Sequence, residues 1–230
     1  MGYLLLEGGA EFGGPMAEPD QKAMEMAGGM DASIRIIPAA AAPDGNHMRA
    51  GRNGTTWFKS LGATDAAQVN LIDKISADSP AIARSLRQAK LIYLLGGFPN
   101  YLEKTLKNSL ALAAMIDAYH HGAVIAGSSA GAMVLCQSFY DPDSRQVCEG
   151  LDLLHNMVVL PHHNTFGKSW AAGLLSKLPG ATLLGIDERT GLLDNGYGES
   201  WSVMGQGTAT IYYHNGIKVY HSGESFSMPG

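Results

Sequence analysis

The sequence predicts an α/β fold: a three-layer, doubly wound, mostly parallel sheet with a β-rich antiparallel edge formed by its C-terminal part. Through the first half of the chain, short apolar runs alternate with longer amphipathic segments, which is typical of βαβ units. The run 91–95 is apolar without alternation, which indicates a strand covered on both faces by helices. From Gly191 onward, turn sequences separate short strands, as in antiparallel sheets.

The individual elements follow from these patterns in chain order. In the first half we expect strands at 3–6, 33–38, 68–72, 91–95 and 123–126, and helices at 18–27, 55–61, 80–89, 101–107 and 109–120. Ser79-Pro80 is a helix start and Gly122 a helix end. After the polar stretch 140–150 we expect strands at 157–160 and 183–186 with a helix at 167–178 between them. Strands at 208–213 and 218–221 follow, with turns at 194–196 and 214–216.

Composition limits the classes of function. With 230 residues, 46% of them hydrophobic, the chain is long enough for one domain, 1–230, with a large core. The net charge is −5 and the basic residues are scattered, so we expect neither a nucleic-acid nor a membrane partner. No secretory signal or membrane-length apolar run stands out, and Cys136 and Cys148 match no zinc spacing. We therefore expect a cytoplasmic monomer or homodimer; the role of the two cysteines stays open.

Ser129 is the candidate nucleophile. It lies in Gly127-Ser128-Ser129-Ala130-Gly131, between the predicted strand 123–126 and a segment that can form a helix. This is the order of a nucleophile elbow, Gly-x-Ser-x-Gly, in which a tight turn exposes the serine hydroxyl. The glycines two residues before and after Ser129 select it over Ser128, whose equivalent neighbours are alanines. The alternative is a plain turn in which one of the serines caps a helix.

A serine nucleophile needs a base and a carboxylate that orients the base. His162 and His163 directly follow the predicted strand 157–160, and Asp187 and Glu188 directly follow the predicted strand 183–186. The carboxyl ends of parallel strands form the edge of a sheet where sites are built. Successive residues of a strand face opposite ways, so only one member of each pair can easily face the site. We expect no metal, because adjacent histidines diverge and no further ligand has a suitable spacing.

Four segments together resemble the S51 peptidase family, which includes peptidase E and cyanophycinase. They are the elbow, Leu94-Leu95-Gly96-Gly97, Pro161-His162 and Gly185-Ile186-Asp187-Glu188-Arg189-Thr190. The resemblance implies a flavodoxin-like fold similar to class I glutamine amidotransferases, and a Ser-His-Glu triad in that chain order: Ser129, His162 and Glu188. It also implies that the backbone N–H of Gly97 joins that of Ala130, the residue after the nucleophile, in an oxyanion hole.

Two adjacent histidines leave a choice of base. Family members usually place an aromatic residue after the catalytic histidine and a proline or glutamine before it. Pro161 therefore favours His162, with His163 in the packing role, and His163 stays the alternative base.

The resemblance does not extend to substrate choice. After the double glycine this chain has Phe98-Pro99-Asn100, where cyanophycinases have Asp-Gln and peptidase E has Asn-Thr. Phe98, Asn100 and Lys168 are the substrate-binding candidates, and Phe98, Tyr101, Phe166 and Trp170 are candidates for an apolar pocket. We expect a serine hydrolase that cleaves an amide bond of a small peptide-like substrate, without a cofactor. The alternatives are an esterase with the same triad and a non-catalytic binding protein of the same fold.

Overall fold

Parallel strands form the centre of the molecule, whose computed structural model describes residues 1–196, 198–213 and 216–228. The strands lie side by side in the order first, fifth, fourth, second, third. In chain order they are β1 (Tyr3–Glu7), β2 (Ile34–Ile37), β3 (Ala66–Gln68), β4 (Leu91–Leu94) and β5 (Val124–Ser128). The predicted fold class is confirmed.

Helices cover both faces of this sheet. Along β4, Ile92 and Leu94 face one helical layer, and Leu91 and Tyr93 face the other. All four side chains are fully buried, as the unbroken apolar run predicts. One layer contains α1 (Ala17–Met26) and α2 (His47–Ser60). The other contains α3 (Lys74–Ala77), α4 (Pro80–Gln88), α5 (Pro99–Leu106), α6 (Leu110–His120) and α7 (Ala130–Leu135).

The strands that lead to the candidate histidine and glutamate form a second sheet. In it β8 (Met157–Leu160) and β9 (Thr182–Ile186) pair in parallel, as expected of neighbours, but they do not continue the central sheet. β12 (Thr208–Tyr213) and β13 (Gly216–His221) complete it. His214 and Asn215, in the predicted turn 214–216, lie outside the described residues.

The antiparallel edge of the central sheet is built from the C-terminal part, as predicted. β10 (Thr190–Asp194) pairs antiparallel with β1, and β11 (Ser200–Gly205) and β14 (Ser225–Ser227) extend the sheet outward. Because β10 follows β9 after a short turn, the chain passes from the second sheet to the central one at residues 187–189. That crossing brings the two sheets together next to β1 and β5.

One predicted helix and one predicted strand have different bounds in the structure. The helix predicted at 55–61 begins at His47; its early part contains Gly51 and Gly54, which weaken the helical pattern. Both glycines are needed for packing, because a Cβ on Gly51 would lie 2.2 Å from the Gln68 side chain and one on Gly54 3.0 Å from Phe12. The strand predicted at 68–72 ends at Gln68, although Leu71 beyond it is fully buried.

Two further segments differ from their predicted form. The polar stretch 140–150 contains most of a hairpin, β6 (Ser138–Asp141) and β7 (Gln146–Glu149), whose residues are largely outside the core. The helix predicted at 167–178 consists of a 3₁₀ turn, Gly167–Trp170, and α8 (Ala171–Lys177). Within the described residues, no helix has the length and apolar character that a membrane crossing needs.

Candidate active site

Ser129 lies on a strained turn between β5 and α7. Its backbone has φ 50° and ψ −112°, outside the regions that residues with a side chain favour, and its side chain is half-buried. The flanking glycines are required by space: a Cβ on Gly127 would lie 2.5 Å from the Gly131 carbonyl, and one on Gly131 would lie 2.2 Å from the Leu94 oxygen. The turn therefore has the form predicted for a nucleophile elbow.

The three predicted triad residues form one hydrogen-bonded chain. Ser129 Oγ lies 3.0 Å from His162 Nε2, and His162 Nδ1 lies 2.8 Å from Glu188 Oε1. The exposed fraction is 20% for the His162 side chain and 33% for that of Glu188, so solvent and substrate can reach the chain. A neutral imidazole that donates from Nδ1 to the carboxylate leaves Nε2 free to accept the serine proton.

The loops after β1, β8 and β9 hold His162 in this position. Its backbone N–H donates to the Gly8 oxygen at 2.7 Å, and its ring stacks on Phe166 with 4.9 Å between ring centroids. Gly9 also packs closely against this ring, because a Cβ on Gly9 would lie 2.3 Å from the imidazole. The Glu188 N–H donates to Asn164 Oδ1 at 3.0 Å. These contacts fix both the ring and the carboxylate.

His163 points away from Ser129 into the core of the second sheet. Only 5% of it is exposed; its Nε2 lies 2.8 Å from the Tyr212 hydroxyl and its Nδ1 3.5 Å from Asp187 Oδ1. Burial lowers its pKa, although Asp187 acts in the opposite direction. Asp187 in turn accepts hydrogen bonds from Thr208. Each adjacent pair is thus split, with His162 and Glu188 on the side of Ser129 and His163 and Asp187 on the other.

The predicted oxyanion donors lie beside Ser129. As the first residue of α7, Ala130 has a backbone N–H without an intrahelical acceptor. The Gly96-Gly97 turn packs against the serine, since a Cβ on Gly96 would lie 3.3 Å from Ser129 Cβ. Gly97 has φ +140° and approaches the Ala40 oxygen so closely that a side chain there would collide with it. The Ala130 N–H therefore lies next to Ser129 without an intrahelical partner, and Gly97 directly follows the glycine that packs against the serine.

The remaining substrate-binding candidates differ in their exposure and in their contacts. Phe98 is half-buried at the start of α5, next to the Gly96-Gly97 turn. The Asn100 amide donates to Asp141 at 3.5 Å, which ties it to the β6–β7 hairpin. Lys168 is exposed on the 3₁₀ turn after His162. Of the apolar candidates, Phe166 is exposed and packs on Trp170 with 5.5 Å between centroids. Tyr101, in contrast, donates its hydroxyl to the Ile72 oxygen.

A buried pair of carboxyl groups lies next to the elbow and was missed by the sequence argument. Glu7 and Asp20 are fully buried, and desolvation raises both pKa values, that of Asp20 to about 7. Tyr93 donates its hydroxyl to Glu7, and Trp57 Nε1 donates to Asp20 at 2.7 Å. The other oxygen of each carboxyl group has no donor among the described groups. The negative charge of Asp20 adds to burial in raising the pKa of Glu7.

The cysteines belong to the structure rather than to the site. Both are free thiols; Cys136 is fully buried, and burial raises its pKa to about 12. Burial also raises the pKa of Cys148. Neither thiol is activated, since a reactive cysteine needs a lowered pKa. In the described part of the chain, no three His, Cys, Asp or Glu side chains are grouped in a way that could hold a metal ion.

An α/β sheet with a serine elbow at the end of a central strand is typical of hydrolases. Comparison with known proteins agrees with that class. The model of peptidase family S51 matches residues 4–198, and the chain belongs to this family. It is a peptidase-type hydrolase similar to the cyanophycinases.

Two cyanophycinases and one solved peptidase structure are similar to this chain over most of its length. The cyanophycinase of Geminocystis herdmanii is 27% identical over 219 residues, which are 90% of this chain and 79% of that protein. The cyanophycinase of Synechococcus elongatus is 27% identical over 199 residues, and the match spans only 60% of its length. The crystal structure of a peptidase from an acI-B1 Actinobacterium has a TM-score of 0.89 at 30% identity, covering 99% of this chain and 97% of that one.

A putative peptidase E from Listeria monocytogenes EGD-e shares the fold. Its TM-score is 0.65 at 19% identity, and the match covers 89% of this chain and 97% of that one. This neighbour shows the fold alone; the match to the family model confirms the predicted resemblance to family S51.

Proposed function

We propose that the protein is a serine peptidase that hydrolyses an amide bond of a small peptide-like substrate through an acyl-enzyme on Ser129. The observation that carries the proposal is the hydrogen-bonded chain from Ser129 Oγ through His162 to Glu188, at 3.0 and 2.8 Å. Membership of a peptidase family and the likeness to cyanophycinases support an amide rather than an ester as substrate.

The geometry gives each residue a role in the reaction. His162 Nε2 takes the Ser129 proton as Oγ attacks the scissile carbonyl carbon, and Glu188 stabilises the imidazolium that forms. The oxyanion accepts hydrogen bonds from the Gly97 and Ala130 N–H groups, each worth about 3 kcal/mol of barrier. His162 then gives the proton to the leaving amine, which leaves an acyl-enzyme on Ser129. A water that His162 deprotonates in the same way attacks the acyl group and releases it as the acid, and the proton returns to Ser129.

A fluorophosphonate label tests the nucleophile directly, because it reacts preferentially with an activated serine hydroxyl. We expect the wild-type protein to be labelled and Ser129→Ala not to be. Ser128→Ala is the matched control: it removes the neighbouring hydroxyl, which donates to Glu11, and should still be labelled. Persistent labelling of Ser129→Ala would refute the assignment.

A second comparison separates the two histidines. We expect His162→Ala to slow labelling by about a thousandfold or more, and folded His163→Ala to be labelled at a rate close to that of the wild type. The reverse result would make His163 the base.

A substrate panel tests the reaction class: dipeptides with N-terminal aspartate, β-aspartyl dipeptides, and p-nitrophenyl esters. Turnover of esters alone would identify an esterase with the same triad. Labelling without turnover of any amide would contradict the peptidase proposal.

A further inference from the structure

The backbone of His162 is strained where the chain leaves β8. Its φ is 49°, in the left-handed region that residues with a side chain rarely adopt. The carbonyl oxygen of His162 accepts the backbone N–H groups of residues 165, 166 and 167, each at 3.0 Å. Such strain persists only where surrounding contacts fix the conformation. The chain therefore closes tightly on itself directly after the base.

Gly167 allows this turn to close. A Cβ at that position would lie 2.0 Å from the Pro161 oxygen, so a larger residue would push the turn open. The closed turn stacks the Phe166 ring on the imidazole of His162, with 4.9 Å between the ring centroids and 24° between the ring planes. Gly9 packs against the same imidazole, because a Cβ there would lie 2.3 Å from Cε1 and 2.6 Å from Nε2. An aromatic ring and the loop after β1 thus both contact the base.

Two further aromatic rings continue the stack away from the base. The centroid of the Trp170 ring lies 5.5 Å from that of Phe166, and the centroid of the Tyr140 ring lies 5.0 Å from that of Trp170. Aromatic pairs attract at these separations. Trp170 is partly buried and packs against the hydrophobic core, whereas Phe166 is 49% exposed. Trp170 therefore supports a ring that has few other contacts.

The direction of each contact determines what it can hold. The hydrogen bond from His162 Nδ1 to Glu188 lies at the edge of the imidazole and fixes its rotation within the ring plane. A ring stacked on the imidazole instead resists tilting out of that plane. The face of an aromatic ring also attracts a cation, so the stack still holds the base after it has taken a proton. The two contacts are complementary.

The geometry points to Phe166 as a positioning residue: its ring, supported by Trp170, keeps the imidazole of His162 aligned with Ser129 through both proton transfers. The inference rests on the proposed function of Ser129. Without the Phe166 ring, the base keeps its carboxylate but can tilt away from the serine. A displacement of about 1 Å at a reacting group can lower a rate by about 100-fold.

Phe166→Leu tests this role. Two kinds of quantity are measured: the second-order rate of labelling by a fluorophosphonate with a short alkyl chain, and kcat and KM on an amide that the wild-type protein hydrolyses. We expect labelling and kcat to fall by about 10- to 100-fold, with KM changed by less than about twofold. Phe166→Tyr keeps a flat ring on the imidazole and should retain at least about half of the wild-type rate.

A double-mutant cycle tests the support from Trp170. Trp170→Leu alone should slow labelling by about 3- to 10-fold, and adding it to Phe166→Leu should slow that variant by less than about twofold, because Trp170 acts on the base through Phe166. Tyr220→Leu is the matched control. It removes a comparable stack, 4.6 Å and 23° from Phe226, on the outermost strand of the second sheet, and should be labelled at the wild-type rate.

The possible results separate the inference from the proposed function. Wild-type labelling of folded Phe166→Leu would overturn the inference. A raised KM with unchanged kcat would also overturn it, because Phe166 would then bind substrate rather than position the base. Phe166→Met also lacks a ring and replaces Phe166→Leu if circular dichroism shows that the leucine variant does not fold. In each case labelling of the wild-type protein leaves the proposed function standing; if the wild-type protein is not labelled, both proposals fail.

Discussion

Replacing Asp20 by asparagine should remove much of the pH dependence of stability. Asp20 is fully buried against Glu7, and its pKa is raised from 3.8 to about 7. The carboxyl group therefore loses its proton near pH 4 in the unfolded chain but only near pH 7 in the folded protein. Between these values the native state binds one more proton, so the free energy of unfolding falls as pH rises.

The magnitude follows from the size of the shift. One bound proton corresponds to about 1.4 kcal/mol per pH unit, so a shift of about 3 units amounts to about 4 kcal/mol, lost between about pH 4 and pH 7. The pKa of Glu7 is also raised by burial, and its contribution has the same sign. The asparagine side chain that replaces Asp20 would stay neutral in both states and could still accept the Trp57 hydrogen bond.

Urea unfolding followed by circular dichroism, at intervals from pH 4 to pH 8, measures the effect. The quantity of interest is the difference in unfolding free energy between Asp20→Asn and the wild type. From about pH 4 to about pH 7, the unfolding free energy of the variant should increase by about 4 kcal/mol relative to that of the wild type. The lowered pKa of His163 makes the native state gain stability up to about pH 6.5, but this contribution is common to both proteins and cancels.

Asp65→Asn is the matched control. Asp65 is exposed and its hydrogen bonds with Arg35 lower its pKa, so its contribution changes only below about pH 4. Its difference from the wild type should be flat from pH 4 to pH 8. A flat difference for Asp20→Asn as well would refute the inference that burial raises the pKa of Asp20 in the folded protein.

Three further substitutions follow from the site. Glu188→Gln should lower kcat by about a thousandfold or more without changing the fold, because the imidazolium of His162 loses its carboxylate. Steady-state kinetics measure kcat, and a loss below about tenfold would contradict the prediction. His163→Ala should destabilise the protein by about 2–4 kcal/mol in urea unfolding, through a cavity and the loss of the Tyr212 hydrogen bond, and a neutral effect would disagree. Gly131→Ala should prevent the elbow from closing against Leu94, so wild-type labelling and thermal stability in this variant would contradict the packing argument.

Much of the fold was predictable because its signals are local. The parallel strands were placed within a few residues from apolar runs, and β4 was correctly assigned to the interior from its lack of alternation. Errors arose where packing overrides propensity. The glycines of α2 weaken its helical pattern, yet they are present because Gln68 and Phe12 occupy the space of a side chain.

The identity of the candidate site residues could be predicted from the sequence, but their arrangement in space could not. Ser129 was selected by its flanking glycines, and the collisions that a Cβ would cause at Gly127 and Gly131 supply the physical reason. Alternation along an extended segment predicted that only one of Asp187 and Glu188 faces the serine, but it could not say which. The contact between Glu7 and Asp20 gave no signal, because it depends on how α1 packs against β1.

By itself, the sequence determined the α/β class, the antiparallel C-terminal edge, the elbow at Ser129 and the resemblance to family S51. Only the tertiary structure decided that β8 and β9 form a second sheet, that His162 rather than His163 faces the serine, and that Glu7 and Asp20 share a buried contact. The reason is the range of the interactions involved. Elements and tight turns depend on neighbouring residues, whereas contacts between His162, Gly8 and Ser129 join loops that are distant in the chain.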